Sequence, residues 1–381
     1  MRTEELDYDL PEHLIATRPV EPRDACRLLV VSRTDERVVE HALFSDLPSF
    51  LRPEDVMVFN TSGVLPARLV GARQDTGGAV EGLFLDERAN AAGAEWRVML
   101  KSNGKLRAGQ VIVLGTGDAK HEIELLQRDE ECWIVRPIGP GPAGAPEILA
   151  RVGATPLPPY ILRQRKHTGL SVDDAADRAW YQTVYAQIGG SVAAPTAGLH
   201  FTEALLGRLA SMGVARADVR LDVGVGTFKP IESERVEDHP MHAEWARVPG
   251  TALSVIDATK HSGCDQGRGD GAEGEGGKGG ERGARGRVIA VGTTSVRALE
   301  SVPHGSAGDW EGWTNLMIAP GYGLKRVDAL VTNFHLPKST LLLLIGAFFP
   351  GGVGRVKAIY TEAVRREYRF YSYGDAMLIL P

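Results

Sequence analysis

The spacing of apolar residues divides the chain into three textures. Near the start, Leu28 to Val31 and Val56 to Phe59 are short unbroken apolar runs, as expected of buried strands. A charged turn from Thr34 to Arg37 and an apolar stretch ending at Phe44 lie between them, and the second run leads into Asn60. From Ala67 to Arg136 the pattern becomes a series of short strand-like segments: Ala67 to Ala72, Val80 to Leu85, Glu95 to Leu100, Gln110 to Leu114, His121 to Leu126 and Cys132 to Val135. Gly77-Gly78, Gly104, Gly115 to Gly117 and Asp129 to Glu131 punctuate them at the intervals of antiparallel β-structure. The Pro/Gly-rich segment Pro137 to Pro146 reads as the exit from this unit.

Beyond Leu157-Pro158-Pro159-Tyr160, whose prolines read as barring a helix, helices and strands alternate. Helical period covers Asp173 to Ala186, Glu203 to Met212, Ser339 to Phe349 and Val353 to Tyr368, and a further helix contains Leu299. Thr202 is placed to cap the second of these and Gly213 to stop it. Strands are expected at Ala215 to Val223, Arg287 to Val291, Leu316 to Ala319 and Ala329 to Asn333. The fold class is therefore α/β: a mixed α/β main domain from 1–66 and 152–381, with a small antiparallel all-β domain inserted at 67–151. Gly263 to Gly286 holds 11 glycines and no large apolar residue, so it reads as a disordered surface insertion without a catalytic part.

Composition changes this picture little. Of 381 residues 43% are hydrophobic and 24% charged, the proportions of an ordinary globular protein. A net charge of -6 means that any polyanion would have to be met by a local basic patch. Cys26, Cys132 and Cys264 form no Cys-x-x-Cys pair, which argues against a disulfide framework and for a reducing, cytoplasmic compartment. Met1 to Leu10 carries four acidic residues and no apolar core, unlike a signal peptide, and the longest apolar run, Leu341 to Phe349, is too short to span a membrane.

Gly190 to Thr202, reading Gly-Ser-Val-Ala-Ala-Pro-Thr-Ala-Gly-Leu-His-Phe-Thr, has neither helical nor strand period. It is dense in small residues and delivers Thr196, His200 and Thr202 to a helix N-terminus, a plausible place to hold a small polar ligand. Gly292-Thr293-Thr294-Ser295-Val296-Arg297 links a strand to a helix and suits a carboxylate or ribose, or else simply caps the helix. Gly224-Val225-Gly226-Thr227-Phe228-Lys229 lacks the third glycine of a dinucleotide fingerprint and reads as a tight turn. Asp238-His239-Pro240-Met241-His242-Ala243-Glu244 concentrates titratable groups for acid-base work or substrate contact; a metal site or a structural turn are the alternatives. Asn333 to Ser339 lies at the carboxyl end of a strand, where ligands usually sit in α/β sheets, or caps the next helix. In the last helix and tail, Arg355, Lys357, Arg365, Arg366 and Arg369 interleave with Tyr360, Tyr368, Phe370, Tyr371 and Tyr373, a pattern that fits RNA or an ordinary solvated face.

In combination these stretches resemble one family, the S-adenosylmethionine:tRNA ribosyltransferase-isomerases of queuosine biosynthesis. The resemblance rests on Asp7-Tyr8-Asp9-Leu10-Pro11, Leu14-Ile15-Ala16, Pro66-Ala67-Arg68-Leu69, Leu157-Pro158-Pro159-Tyr160-Ile161, Tyr181 to Ala186 and the Gly190 to Thr202 loop. It continues through Val223-Gly224, Gly226-Thr227-Phe228, Asp238 to Glu244, Val291 to Arg297, Pro320-Gly321-Tyr322, Thr332 to Thr340, Tyr368-Arg369-Phe370 and Ser372 to Met377, sparing only the glycine-rich insertion.

The resemblance implies transfer and isomerisation of the ribosyl moiety of S-adenosylmethionine onto an aminomethyl-deazaguanine at the tRNA wobble position. An epoxide-bearing cyclopentane forms, and adenine and methionine leave. The sulfonium acidifies the neighbouring methylene, so the route needs a base, a proton donor to adenine and clamps for a zwitterion, but no metal or redox cofactor. On this reading Thr196, Thr293, Thr294 and Arg297 contact methionine carboxylate and ribose, and His200, His239, His242 and Glu244 do acid-base work. His335 and Asp375 are secondary substrate contacts. S-adenosylmethionine is then a consumed substrate, tRNA carrying a queuine precursor is the partner, no membrane is involved, and a monomer is expected. The chain departs from the family pattern at Thr61-Ser62-Gly63 in place of Asp-Thr-Arg, at Asp222 in place of histidine and at Leu324 in place of phenylalanine. An S-adenosylmethionine-dependent methyltransferase and a non-catalytic tRNA-binding protein are the competing readings.

Overall fold

The computed structural model describes the chain except residues 36–38, 91–92, 118, 140–143, 173, 225, 227–230 and 262–284. In chain order the strands are β1 Arg27–Ser32, β2 Val39–Leu43, β3 Val56–Asn60, β4 Ser62–Val64, β5 Arg68–Arg73, β6 Ala79–Asn90, β7 Gly93–Ser102, β8 Val111–Thr116 and β9 Ala119–Asp129. They continue with β10 Cys132–Ile138, β11 Ile188–Ser191, β12 Ala215–Leu221, β13 Glu244–Val248, β14 Val288–Val291, β15 Trp310–Thr314, β16 Ala329–Asn333 and β17 Ala376–Leu380. The helices are α1 Ala145–Val152, α2 Pro159–His167, α3 Asp177–Trp180, α4 Glu203–Ser211, α5 Gly250–His261, α6 Thr293–Ser301, α7 Thr340–Gly346 and α8 Gly352–Arg365.

A nine-stranded sheet, ordered β15-β13-β12-β3-β14-β16-β17-β1-β2, forms the main body. Its middle, β12-β3-β14-β16, is parallel, while the flanking pairs β12-β13, β13-β15, β16-β17 and β1-β2 are antiparallel. The unbroken apolar runs follow from burial on both faces. Val58 and Ala290 face one core, shared with Leu253 of α5, Leu299 of α6, Leu343 of α7 and Val356 of α8. Their neighbours Phe59 and Val291 face the other, against Leu205 and Leu209 of α4 and Phe44. Each such side chain contributes about 1.5–3 kcal/mol by leaving water. At the amino ends of β3 and β14, buried Asp55 takes Arg287 in an ion pair at 2.6 Å, which ties the two strands.

The second unit is a closed barrel, β10-β7-β6-β5-β8-β9, antiparallel throughout and filled by Trp96, Phe84, Ile112, Leu125 and Trp133. All six strands expected between Ala67 and Arg136 are present. Helix α1 was not expected; Ile148, Leu149 and Val152 turn its apolar face into the barrel core.

Four readings of the sequence need correction. Helix α2 starts on Pro159, because a proline at the first helical position gives up an N–H that has no partner there anyway. Between Asp174 and Ala186 only the single turn α3 is helical, since Asp177 turns inward to take Arg165 at 2.6 and 2.7 Å, and Gln182 Oε1 accepts from Val64 N. Leu316 to Ala319 is not a strand: the edge strand is β15, and Leu316 and Met317 line a cavity instead. Within Gly190 to Thr202, the first residues belong to β11 and Thr196–His200 is a 3-10 helix. Most of the expected tight turn at Gly224 to Lys229, all but Gly224 and Gly226, and nearly all of the glycine-rich segment lie outside the described residues. Among the described residues no helix is long and apolar enough to cross a membrane.

Candidate active site

The cleft forms where the parallel strands end. Val223 follows β12, Gly292 follows β14 and Asn333 ends β16, and all three line one open cleft of about 620 Å³, solvent included. Thr196, Thr293, Thr294 and His335 line it too, as do Tyr160, Tyr371 and Ser372. A second cavity of about 480 Å³ is lined by His239, His242, Glu244 and Arg297. Leu341 belongs to both, so the two adjoin.

Helix α6 opens the cleft with its amino end. Gly292 precedes it at φ 86° and ψ 154°, a conformation open to glycine almost alone, and no side chain caps the first turn. The first-turn N–H groups are thus available to an anion, aided by the helix dipole. The buried hydroxyl of Thr294 has no partner among the described residues, and neither has Nε of Arg297. An unpaired buried donor is costly.

Arg297 is otherwise committed. Its Nη1 pairs with Glu244 and its Nη2 reaches Thr314 O at 3.4 Å, while Glu244 Oε1 accepts from Gly224 N at 3.1 Å. Glu244 thereby holds Arg297 and the Gly224 backbone together. His242 is exposed and packs its ring so tightly on Gly226 that a Cβ there would lie 2.1 Å from Cδ2. His239 is half-buried, and burial followed by the neighbouring His242 pulls its pKa below the usual histidine value. Among the described residues no group of three or more His, Cys, Asp or Glu converges as metal ligands would.

Two assigned residues stand apart from the cavities that hold the rest. His200 is buried, with Cys26 Sγ 3.2 Å from Nδ1 and Asn333 Nδ2 2.9 Å from Nε2, and burial lowers its pKa to about 4. Asp375 is buried in the C-terminal segment, where Arg27 and the Arg369 backbone occupy its oxygens. His335 faces the cleft, its Nε2 2.9 Å from Thr332 Oγ1 and its pKa lowered to about 3 by burial. Asn333, which opens the polar stretch read at this strand end but was given no role of its own, lines the cleft as the last residue of β16. Two of the departures meet: Ser62 Oγ donates to Asp222 Oδ1 at 2.5 Å, and Arg220 grips the same carboxylate at 2.9 and 2.7 Å. Leu324 is half-buried against the main core.

A cleft where the parallel strands of a sheet end, carrying a helix amino end and adjoining a cavity with two histidines, is the usual position of a ligand site in an α/β protein. The chain belongs to the queuosine biosynthesis protein family, whose model matches residues 3–265 and 280–379. The interruption falls inside the glycine-rich segment. Over its full length the chain is 46% identical to the S-adenosylmethionine:tRNA ribosyltransferase-isomerase of Anaeromyxobacter sp. (strain Fw109-5), covering 99% of that protein. It is 44% identical to the protein of that name from Symbiobacterium thermophilum, with 100% of both chains covered. A crystal structure of S-adenosylmethionine tRNA ribosyltransferase from Thermotoga maritima aligns with 99% of this chain and 100% of its own at 32% identity and a TM-score of 0.51.

Proposed function

We propose that this chain is an S-adenosylmethionine:tRNA ribosyltransferase-isomerase, moving the ribosyl moiety of S-adenosylmethionine onto the aminomethyl-deazaguanine of a tRNA wobble position. Full-length identity to relatives of that name supports the reaction. The observation that carries the site is the double cavity joined at Leu341, with an uncapped helix amino end in one lobe and two histidines in the other.

In this reading the α6 amino end, with Thr293 and Thr294, receives the methionine carboxylate or ribose hydroxyls. Arg297 adds its unpaired Nε–H, while its charge is balanced by Glu244. His239 is neutral near pH 7 because its pKa is lowered, so its free ring nitrogen accepts the proton from the methylene beside the sulfonium. Opening of the ribose then expels adenine, which needs a proton, and His242 stands in the same lobe to carry it. The substrate amine then adds to the opened sugar next to the sulfonium carbon, that carbon closes the five-membered ring on the carbonyl carbon that adenine left, and the alkoxide so formed displaces methionine to close the epoxide. His200 acts from behind the wall through Asn333, which lines the cleft, while Asp375 fixes the C-terminal segment through Arg27 and the Arg369 backbone. S-adenosylmethionine is consumed as a substrate, and tRNA is the second substrate.

The test is incubation of the protein with S-adenosylmethionine and tRNA bearing the deazaguanine precursor. Free adenine and methionine, with a matching mass gain on the tRNA, are expected. S-adenosylhomocysteine instead would identify a methyltransferase, and tRNA binding without turnover a non-catalytic protein.

A further inference from the structure

We infer that Asn333 is a positioning residue that, together with His200, locks the Thr196 hydroxyl as a hydrogen-bond acceptor toward the cleft, so that the ligand group seated against Thr196 is an N–H or O–H donor. Donor and acceptor capacity fixes the orientation of each group. Asn333 has three close polar neighbours: Tyr371 O at 3.1 Å and His200 Nε2 at 2.9 Å on its nitrogen side, and Thr196 Oγ1 at 3.0 Å on its oxygen side. A backbone carbonyl only accepts, so the amide must turn its NH₂ toward Tyr371, which excludes the flipped amide. The second N–H then donates to His200 Nε2, which must present a lone pair. His200 is therefore neutral with its proton on Nδ1, directed at Cys26 Sγ 3.2 Å away.

The remaining amide oxygen only accepts, so Thr196 donates its single proton to it. What the half-buried hydroxyl has left for the cleft is lone pairs. A carboxylate would be repelled there, whereas an ammonium, an amine or a ribose hydroxyl would be held.

The surroundings keep the relay in this state. His200 and Asn333 are both buried, and Phe44 lies 5.2 Å from the imidazole ring centre. The charges that act on the ring are Asp375 in one sense and Arg369 and Arg23 in the other, and burial outweighs them. The Cys26 thiol is held protonated by its own burial.

The inference rests on the cleft being the S-adenosylmethionine site, but one test does not. Nitrogen-15 NMR of the histidine rings, with His200→Gln used to assign the signal, should show the Nδ1–H tautomer from pH 8 to pH 5. An Nε2–H tautomer or an imidazolium at pH 6 overturns the relay even if the enzyme is fully active. In turnover, Thr196→Val should raise KM for S-adenosylmethionine about tenfold, one net hydrogen bond, with Thr196→Ser recovering most of that loss. An unchanged KM in Thr196→Val overturns the acceptor role. Asn333→Asp replaces a donor by a carboxylate facing a carbonyl, so its kcat/KM should recover as pH falls and the acid protonates, which a merely structural defect would not show. His200→Gln, which keeps an acceptor, should lose less than His200→Leu. Adenosine and methionine as competing ligands divide the possible donors, since only the one whose inhibition weakens in Thr196→Val carries the group. Absence of turnover in the wild-type protein would instead sink the functional reading and leave the NMR arm to decide the relay.

Discussion

The buried His200 makes stability depend on pH in a calculable way. Its pKa drops from 6.5 to about 4 because burial disfavours the cation. A folded-state pKa below the unfolded one means that the unfolded chain takes up a proton the folded protein refuses. The stabilisation is therefore complete above about pH 6.5 and is lost as pH falls toward 4. At about 1.36 kcal/mol per pH unit, the gap between 6.5 and about 4 corresponds to about 3 kcal/mol in full, of which about 2 kcal/mol is lost between pH 8 and pH 5. Few carboxylates titrate in that window, so histidines dominate it. Urea unfolding at pH 8, 7, 6 and 5 would measure this, comparing wild type with His200→Gln. The wild type should lose about 2 kcal/mol more than the variant across the series, at equal slope against urea. Equal losses in the two proteins would mean that His200 is protonated in the fold, and the reasoning about Asn333 would go with it.

Three other outcomes follow from the geometry. Glu244→Gln leaves Arg297 buried without its counter-charge and should destabilise by about 3–5 kcal/mol in urea unfolding, with a raised KM for S-adenosylmethionine. Arg165→Met should cost a similar ~3–5 kcal/mol because Asp177 stays buried, and the double change Arg165→Met with Asp177→Leu should recover most of it. Gly292→Ala meets no hard contact closer than 3.6 Å, so its cost of about 1–3 kcal/mol should come from the backbone, accompanied by weaker S-adenosylmethionine binding in calorimetry.

Much of the fold could be read from periodicity alone. The strands buried on both faces announce themselves as apolar runs, and the barrel strands as short segments between glycines. What failed had local signals overridden by distant partners. The segment before Ala186 has helical period, yet Arg165, on the preceding helix, pulls Asp177 inward. Leu316 and Met317 look like a strand but face a cavity that only the folded chain creates.

The site was legible to the same degree. Loops following β14 and β16 were picked out by their polar residues at strand ends, and they do meet at one cleft. Sequence could not reveal that His200 sits behind the cleft between Asn333 and Cys26, because its place depends on contacts 133 and 174 residues away. Nor could it show that Glu244 and Arg297, 53 residues apart, form a pair.

The central claim is that the two adjoining cavities form one S-adenosylmethionine site. Calorimetric titration of S-adenosylmethionine into wild type, Thr294→Val and His242→Ala tests it most directly, since each substitution alters a single lobe. A single-site isotherm in the wild type and weaker binding in both variants are expected. Binding that responds to only one of them, or to neither, would contradict it.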